Sequence, residues 1–281
     1  MNDLSGRISW ADVALALLLV AVSVAISRRR RAGLERDIAV ATFRSFAQLL
    51  AVGFVLDFVL GGGSELTPVV LLVMVATATL TSGARGKRVP GAYWIAATAV
   101  SAAAGGTLGV LLALGIVPAS PRAAIPLGSM IISNAMNTAS LVMGRLRDDL
   151  AANRREVEAH LSLGETATDA SSSWHRAAVR SGMLPIVDQT KVVGLVALPG
   201  AMTGMLLAGA SASSAIRLQL VVMYMLLGGN AFAAMVAGRL TVARLFTADH
   251  QLIRSLRRAA ACGWYVSRRP AAGRRGRERH A

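Results

Sequence analysis

The chain is short of charge and of cysteine, and each shortage closes off a class of protein. Only 16% of its 281 residues are Asp, Glu, Lys or Arg, whereas a soluble domain carries about 25%. With 54% of residues hydrophobic and a mean hydropathy of +0.54, the chain has more apolar surface than one soluble core can hide. Cys262 is the only cysteine, so no intrachain disulfide is possible and nothing argues for an oxidising compartment.

Acidic residues are scarce as well, 15 against 30 basic ones. All four histidines, His160, His175, His250 and His280, fall outside the apolar runs, and Asp12, Asp57 and Asp188 lie toward the ends of theirs. A His and carboxylate metal centre at membrane depth has no support, and no metal ligand is assigned. A soft or borderline cation would have to use methionine sulfur, amide oxygen or carbonyls. Met130, Met136, Met202, Met205, Met223 and Met225 are available, although methionine in an apolar span ordinarily packs.

Catalytic signatures are missing too. The nearest fragment to a phosphate-binding G-x-x-x-x-G-K-[ST] loop, Gly83 to Arg88, has its glycines misplaced and an arginine after the lysine. There is no Ser-His-Asp setting, zinc-spaced cluster or dinucleotide turn. No cofactor and no enzymatic activity are therefore expected of this polypeptide.

What the sequence does hold is seven apolar runs, roughly Trp10–Ile26, Ile38–Leu60, Pro68–Ser82, Val89–Val117, Ala124–Met143, Met183–Ala208 and Ile216–Ala237. A helix crosses the hydrocarbon in about 20 residues, and shorter runs are completed by snorkelling or thinning. The expected fold is an all-α integral membrane protein of about seven spans. Residues 1–238 form one membrane domain, with a long loop at about 144–182, and 239–281 a basic tail expected to be disordered or to lie on anionic lipid. The first run is expected to stay as a span, because its charges, Arg28 to Arg31, follow it instead of preceding it as in a signal peptide.

Basic residues also set the orientation. Residues 27–37, 83–88, 144–181 and 239–281 hold 25 of the 30, while the opposite side has only Arg7, Arg122 and Arg217. Positively charged loops stay cytoplasmic, so the amino end is expected outside and the carboxyl end inside. The same placement between spans removes the nucleic-acid reading of a pI near 11.6.

Within the runs, small residues at four-residue spacing, Ser101, Gly105 and Gly109, and again Gly200 and Gly204, suggest close helix contact or dimer packing. Pro199 predicts a kink or local unwinding in the sixth run. Polar groups at depth mark a path or act as helix glue. Arg44 and Gln48 share a face of the second span, Asn134 and Asn137 a face of the fifth, and Asp188 and Lys191 a face of the sixth. With Pro199 and Met202 these residues, Lys191 apart, are the candidates for a transport path.

The long loop reads EVEAHLSLGETATDASSSWHRAAVRSGMLP over 156–185. Its start resembles the E-A-A-x-x-x-G coupling motif of bacterial ABC importer permeases. Glu158, Ala159 and Gly164 match at that spacing, His160 replaces the second alanine, and the distance to Leu184 and Pro185 is longer than usual. A short amphipathic segment of this kind suits docking into a groove of a separate ATPase. The segments RSFAQLLAVGFVL (44–56), IPLGSMIISNAMNTASLVMGRL (125–146), LSLGET (161–166), MLPIVDQTKVVGLVALPGAMTGMLLAG (183–209) and RLQLVVMYMLLGG (217–229) resemble the iron-export ABC permease family of bacteria, whose plant relatives are linked to aluminium tolerance. The blocks keep the family order across most of 38–237.

The resemblance implies a permease subunit, two copies of which pair with two copies of an ATP-binding subunit that holds ATP and Mg²⁺. Its bacterial members are linked to iron export and to resisting oxidative stress, and nucleotide sugar has been proposed as cargo for plant relatives. Glu158, Ala159, Leu163, Gly164 and Glu165 become the coupling residues. The chain departs from the family at Ser129 and Ser133, where glycines are expected, at Glu165 in place of alanine, and at Asp188 in place of asparagine. The rival readings are an ATPase-independent secondary transporter or channel, for which inverted repeats are not evident, and a membrane scaffold without transport.

The orientation has a direct check. In a Cys262→Ser background, Ala119→Cys is expected to react with an impermeant maleimide on intact cells, and Ser162→Cys only after permeabilisation; the reverse pattern inverts the topology.

Overall fold

The computed structural model describes residues 9–30, 33–61, 66–247 and 249–253. The basic tail beyond Ile253, including Cys262 and His280, lies outside the described residues. Those described form α1 (Trp10–Arg30), α2 (Glu35–Gly61), α3 (Thr67–Arg85), α4 (Ala92–Ala113), α5 (Pro121–Ala152), α6 (Arg154–Ser162), α7 (Ala167–Ala170), α8 (Ser172–Val192), α9 (Gly200–Leu207) and α10 (Ala212–Leu245). Among the described residues no strand forms, only the isolated bridges Val193 with Ala197 and Phe246 with Leu252. Apolar runs become helices because a helix satisfies its own backbone where no water can.

Local chemistry sets the ends. Pro68 and Pro121 occupy the first turns of α3 and α5, where a missing N–H costs nothing. Ser211 Oγ accepts the Ser214 N–H at 3.3 Å to start α10. Between α1 and α2, Ser27 Oγ donates to Glu35 Oε1 at 3.1 Å and accepts the Leu34 N–H at 3.2 Å, which closes the hairpin.

Among the described residues five helices, α1 to α4 and α10, are long and apolar enough to cross a membrane. The sixth apolar run, expected as one span, is instead two helices, α8 and α9, separated by residues 193–199. The unwinding expected at Pro199 starts earlier, with Gly194 at φ +85°, a left-handed conformation that glycine adopts freely. Pro199 itself is extended and serves as the N-cap of α9. Two other helices outrun their apolar cores. α5 continues past Met143 to Ala152, carrying the Arg145–Asp149 pair, 2.8 Å and one turn apart, and α10 passes residue 238 to Leu245.

α10 is the hub, packed against α4, α5, α8 and α9, while α5 also packs against α3, α4 and α8. The α1–α2 hairpin pairs with itself and meets the rest only sparsely, at α5. None of the apolar window of α2 is buried, against half of that of α10, so the hairpin leaves its apolar surface for lipid or another chain.

The seam between α4, α5 and α10 is built on alanine. Ala96, Ala99, Ala139 and Ala237 share one buried cluster and Ala103, Ala135 and Ala233 another, all fully buried. Small side chains let backbones approach where lipid supplies no hydrophobic drive to pack. The stripe of Ser101, Gly105 and Gly109 is not this seam. A Cβ added at Gly105 or Gly109 meets nothing within 4 Å, and the stripe borders a shallow groove with Leu71, Leu72 and Gly128. Gly182 on α8 is one of the glycines whose lack of a side chain matters, since a Cβ there would lie 2.5 Å from Val142 Cγ2 and 3.3 Å from the Thr138 carbonyl oxygen. Gly182→Leu is expected to lower stability by about 1–3 kcal/mol, seen as earlier thermal loss of the monodisperse species in detergent, with part of the loss returned by Val142→Ala.

Candidate functional site

The candidate path residues divide by helix. Arg44 and Gln48 lie one turn apart on α2, both exposed, on the hairpin that barely meets the bundle. Asn134 is half-buried and donates from Nδ2 to the Met130 carbonyl oxygen at 2.9 Å, inside its own helix. Asn137 accepts at Oδ1 from Arg85 Nη1 of α3 at 2.8 Å. Asp188 and Lys191 pair at 3.0 Å on an exposed face of α8. Met202, on α9, is half-buried. The structure brings Asn134 and Asn137 against the bundle and leaves Arg44 with Gln48, and Pro199 with Met202, on separate surfaces. The departures Ser129 and Ser133 bond back to the carbonyls of Pro126 at 2.7 Å and Met130 at 3.1 Å, and Ser133 is exposed, so it does not crowd a helix contact.

A second polar set, absent from the residue-type reading, runs through the bundle interior. Thr138 Oγ1 donates to Asn230 Oδ1 at 3.0 Å, with the Gly182 carbonyl oxygen at 3.4 Å. Ser140 Oγ lies 3.0 Å from Ser82 Oγ. Gln219, Asn230 and Thr241 recur every eleven residues along α10 and are all buried. Eleven residues are close to three turns, so the three share a face over about 33 Å, the thickness of the hydrocarbon. Among the described residues, Gln219 Oε1, Thr241 Oγ1 and Thr107 Oγ1 are buried without a partner, which is costly unless another state or water completes them. The eleven-residue spacing was the available signal; hydroxyls and amides dispersed among apolar residues do not announce a shared face until the helix is placed.

Among the described residues no group of three or more His, Cys, Asp or Glu side chains could hold a metal ion. Met223 and Met225 are buried in the core, and Met130 and Met136 pack against it, as methionine in a span ordinarily does.

The residues expected to couple to an ATPase form a compact feature at the end of α5. Val157 anchors α6, fully buried in the cluster that contains Leu150 and Ala167. Glu158 pairs with Arg154 at 2.8 Å along one turn. Gly164 stands at φ +91°, a conformation that strains any side-chain-bearing residue, and this turn aims Leu163 outward, 82% exposed. His160, the departure from the E-A-A pattern, closes the turn through Nδ1 to Glu165 Oε1 at 3.0 Å. Thr166 then caps α7, accepting the Asp169 N–H at 3.3 Å. Ala159, Leu163, Gly164 and Glu165 are all exposed, on and just after a helix anchored by Val157.

Apolar helices, an alanine seam and buried polar groups that are mostly hydrogen-bonded define a polytopic α-helical membrane protein. Within that class the chain belongs to a family described as "Uncharacterised protein family (UPF0014)", which residues 10–246 match. It is 39% identical over 238 residues to the UPF0014 membrane protein STAR2 of rice, covering 84% of each chain. It is 36% identical to the protein ALUMINUM SENSITIVE 3 of Arabidopsis thaliana, over 85% of this chain and 88% of the relative. To the probable iron export permease protein FetB of Escherichia coli it is 34% identical, over 89% of this chain and 96% of the relative. No solved structure matches the chain.

The buried pair offers a clean measurement. A double-mutant cycle of Thr138→Val and Asn230→Leu is expected to give a coupling free energy of about 0.6 kcal/mol, and no more than about 1.7 kcal/mol. Thr138→Val alone should cost the most, because it strands the Asn230 carbonyl oxygen.

Proposed function

We propose that this chain is the permease subunit of an ABC exporter, moving iron or a related metal ion with ATP hydrolysed on a separate subunit that also holds Mg²⁺. The observation that carries the reading is the α6 segment. It is a short helix anchored by Val157 and ended by a left-handed Gly164, and it offers Leu163 outward, 82% exposed among the described residues. An exposed apolar tooth on a rigid support is what docking into the groove of a second protein needs. The similarity to a probable iron export permease supports iron as cargo. The chain itself then performs no chemistry: it binds, carries and releases.

In this reading the permease sits in the bacterial plasma membrane with seven spans. To the five long apolar helices α5 adds a sixth and the α8–α9 pair a seventh, with the amino end outside and the α6 side in the cytoplasm. ATP binding closes the partner subunits, α6 transmits the motion through Leu150 and α5, and the α5–α8–α10 contacts shift around the Thr138–Asn230 pair. Neutral oxygens suit an exporter, because a site built of carboxylates at this depth would hold a divalent cation too firmly to release it.

A second copy completes the transporter. Leu195 is 91% and Val196 82% exposed in the non-helical segment between α8 and α9, and irregular backbone at membrane depth persists only where protein covers it or it lines a cavity. A partner permease across this break, or across the open Gly105–Gly109 groove, satisfies that requirement.

Leu163→Asp separates docking from folding because the side chain is exposed. Co-expressed with the ATP-binding subunit encoded nearest to it, the wild-type chain is expected to retain that subunit through a tag on the permease alone and to show ATP hydrolysis stimulated by ferrous iron. Leu163→Asp should lose retention and stimulation together, with unchanged thermal stability. A wild-type chain that purifies alone and still moves solute into vesicles would establish the ATPase-independent transporter instead.

A further inference from the structure

A cleft of about 940 Å³ opens where the start of α8 meets the end of α10 and the turn that follows it. It belongs neither to the interior polar set nor to the exposed edge of α6. Arg176 of α8 and Arg239 of α10 line it, together with His175 and His250. Among the described residues no acidic residue lines it, and neither arginine has an ion-pair partner. Two guanidiniums held in one concavity without a carboxylate leave a surplus of positive charge directed at whatever enters.

The histidines shape the cleft. His175 packs directly on α10, where a Cβ at Gly238 would lie 2.5 Å from its Nε2. Burial first, and the Arg239 charge second, push its pKa below the ordinary value, so its ring is a neutral wall. His250 is a non-glycine residue at φ +52°, held there as its Nδ1 accepts the Ala167 N–H at 3.2 Å. A neutral ring that accepts at Nδ1 carries its proton on Nε2, so His250 keeps a donor to offer.

The other wall is apolar and does not end at the cleft. Met235, which lines it, is exposed, and so are Phe232 and Tyr224 farther up α10. They are spaced by three and then eight residues, which puts them along one face of the helix. The surface therefore runs from a basic cleft to an apolar track that climbs toward the membrane, matching a ligand with a phosphate at one end and a hydrocarbon chain at the other. Basic pockets between spans on the cytoplasmic side are suited to such headgroups, and the cleft lies on that side in the orientation proposed above.

We propose that the Arg176–Arg239 cleft binds the phosphate headgroup of an anionic phospholipid, with an acyl chain along Met235 and Phe232. The arginines bind the phosphate oxygens, His250 donates from Nε2, and the lipid ties the foot of α8 to the foot of α10, the two helices that flank the Thr138–Asn230 pair. The proposal needs neither an iron cargo nor an ATPase.

The test uses the full chain purified in neutral detergent, with thermal unfolding followed on titration with short-chain phosphatidylglycerol, short-chain phosphatidylcholine or inorganic phosphate. Phosphatidylglycerol is expected to raise the melting temperature and the other two to leave it unchanged. Arg176→Gln/Arg239→Gln should weaken the phosphatidylglycerol midpoint about thirtyfold, while Arg217→Gln, far along α10, keeps it. If the double glutamine variant does not fold, Arg176→Lys/Arg239→Lys and native mass spectrometry of retained lipid give the same comparison, with fewer phosphatidylglycerol molecules expected on the variant. An unchanged response in the variants, or an equal response to phosphatidylcholine, would overturn the site. A response to inorganic phosphate that the variants lose would assign the cleft to a soluble phosphate and overturn the lipid.

Discussion

Every polar group carried into the hydrocarbon must find a partner inside the protein, and most of this architecture follows from that constraint. It forces the apolar runs into helices, since only a helix satisfies its backbone within one segment. It makes the 193–199 break the exceptional stretch, where Gly194 N–H reaches the Ala197 carbonyl at 3.0 Å and Val196 N–H the Val192 carbonyl at 3.0 Å. It also makes serine and threonine bond back along their own helices, as Thr42, Thr81 and Thr98 do. Other polar side chains reach across helices: Thr138 to Asn230 holds α5 to α10, and Ser140 to Ser82 and Arg85 to Asn137 hold α5 to α3.

Close approach makes those cross-helix bonds possible. Alanine on three helices narrows the seam, and Gly182 lets α8 come against α5 until the Thr138 hydroxyl is within reach of both Asn230 and the Gly182 carbonyl oxygen. Packing and polar satisfaction are thus one device: widening the seam at Gly182 would also unmake the hydrogen bonds beside it. A bundle whose mobile parts share such a seam has few ways to shift, which suits a permease that moves between discrete states.

The α6 end of the molecule gathers the features through which other molecules would act. α6 projects an exposed Leu163 on a buried Val157 anchor, and the arginine cleft lies just beyond α7, where Ala167 serves both as a core residue and as the donor to His250. A push on α6 and a ligand between α8 and α10 therefore bear on neighbouring elements. In physical terms α6 and the cleft both adjoin α7.

The sequence by itself determined the class. Scarce charge, recurring apolar runs and basic loops require a helical membrane protein, and the ordered blocks from Arg44 to Gly229 were enough to place its family. The exposed turn at Leu163 and Gly164 was legible too, because a glycine after a short amphipathic segment is a local signal. Only the tertiary structure decided which small residues pack, alanines and not the glycine stripe, since period and side-chain size look alike in both until the helices are placed. It alone separated Arg44 and Gln48 from Asn134 and assembled Thr138 with Asn230. It also set Arg176 opposite Arg239, for those pairs are distant in sequence, and proximity between helices is fixed by how the whole bundle closes, which no local pattern records.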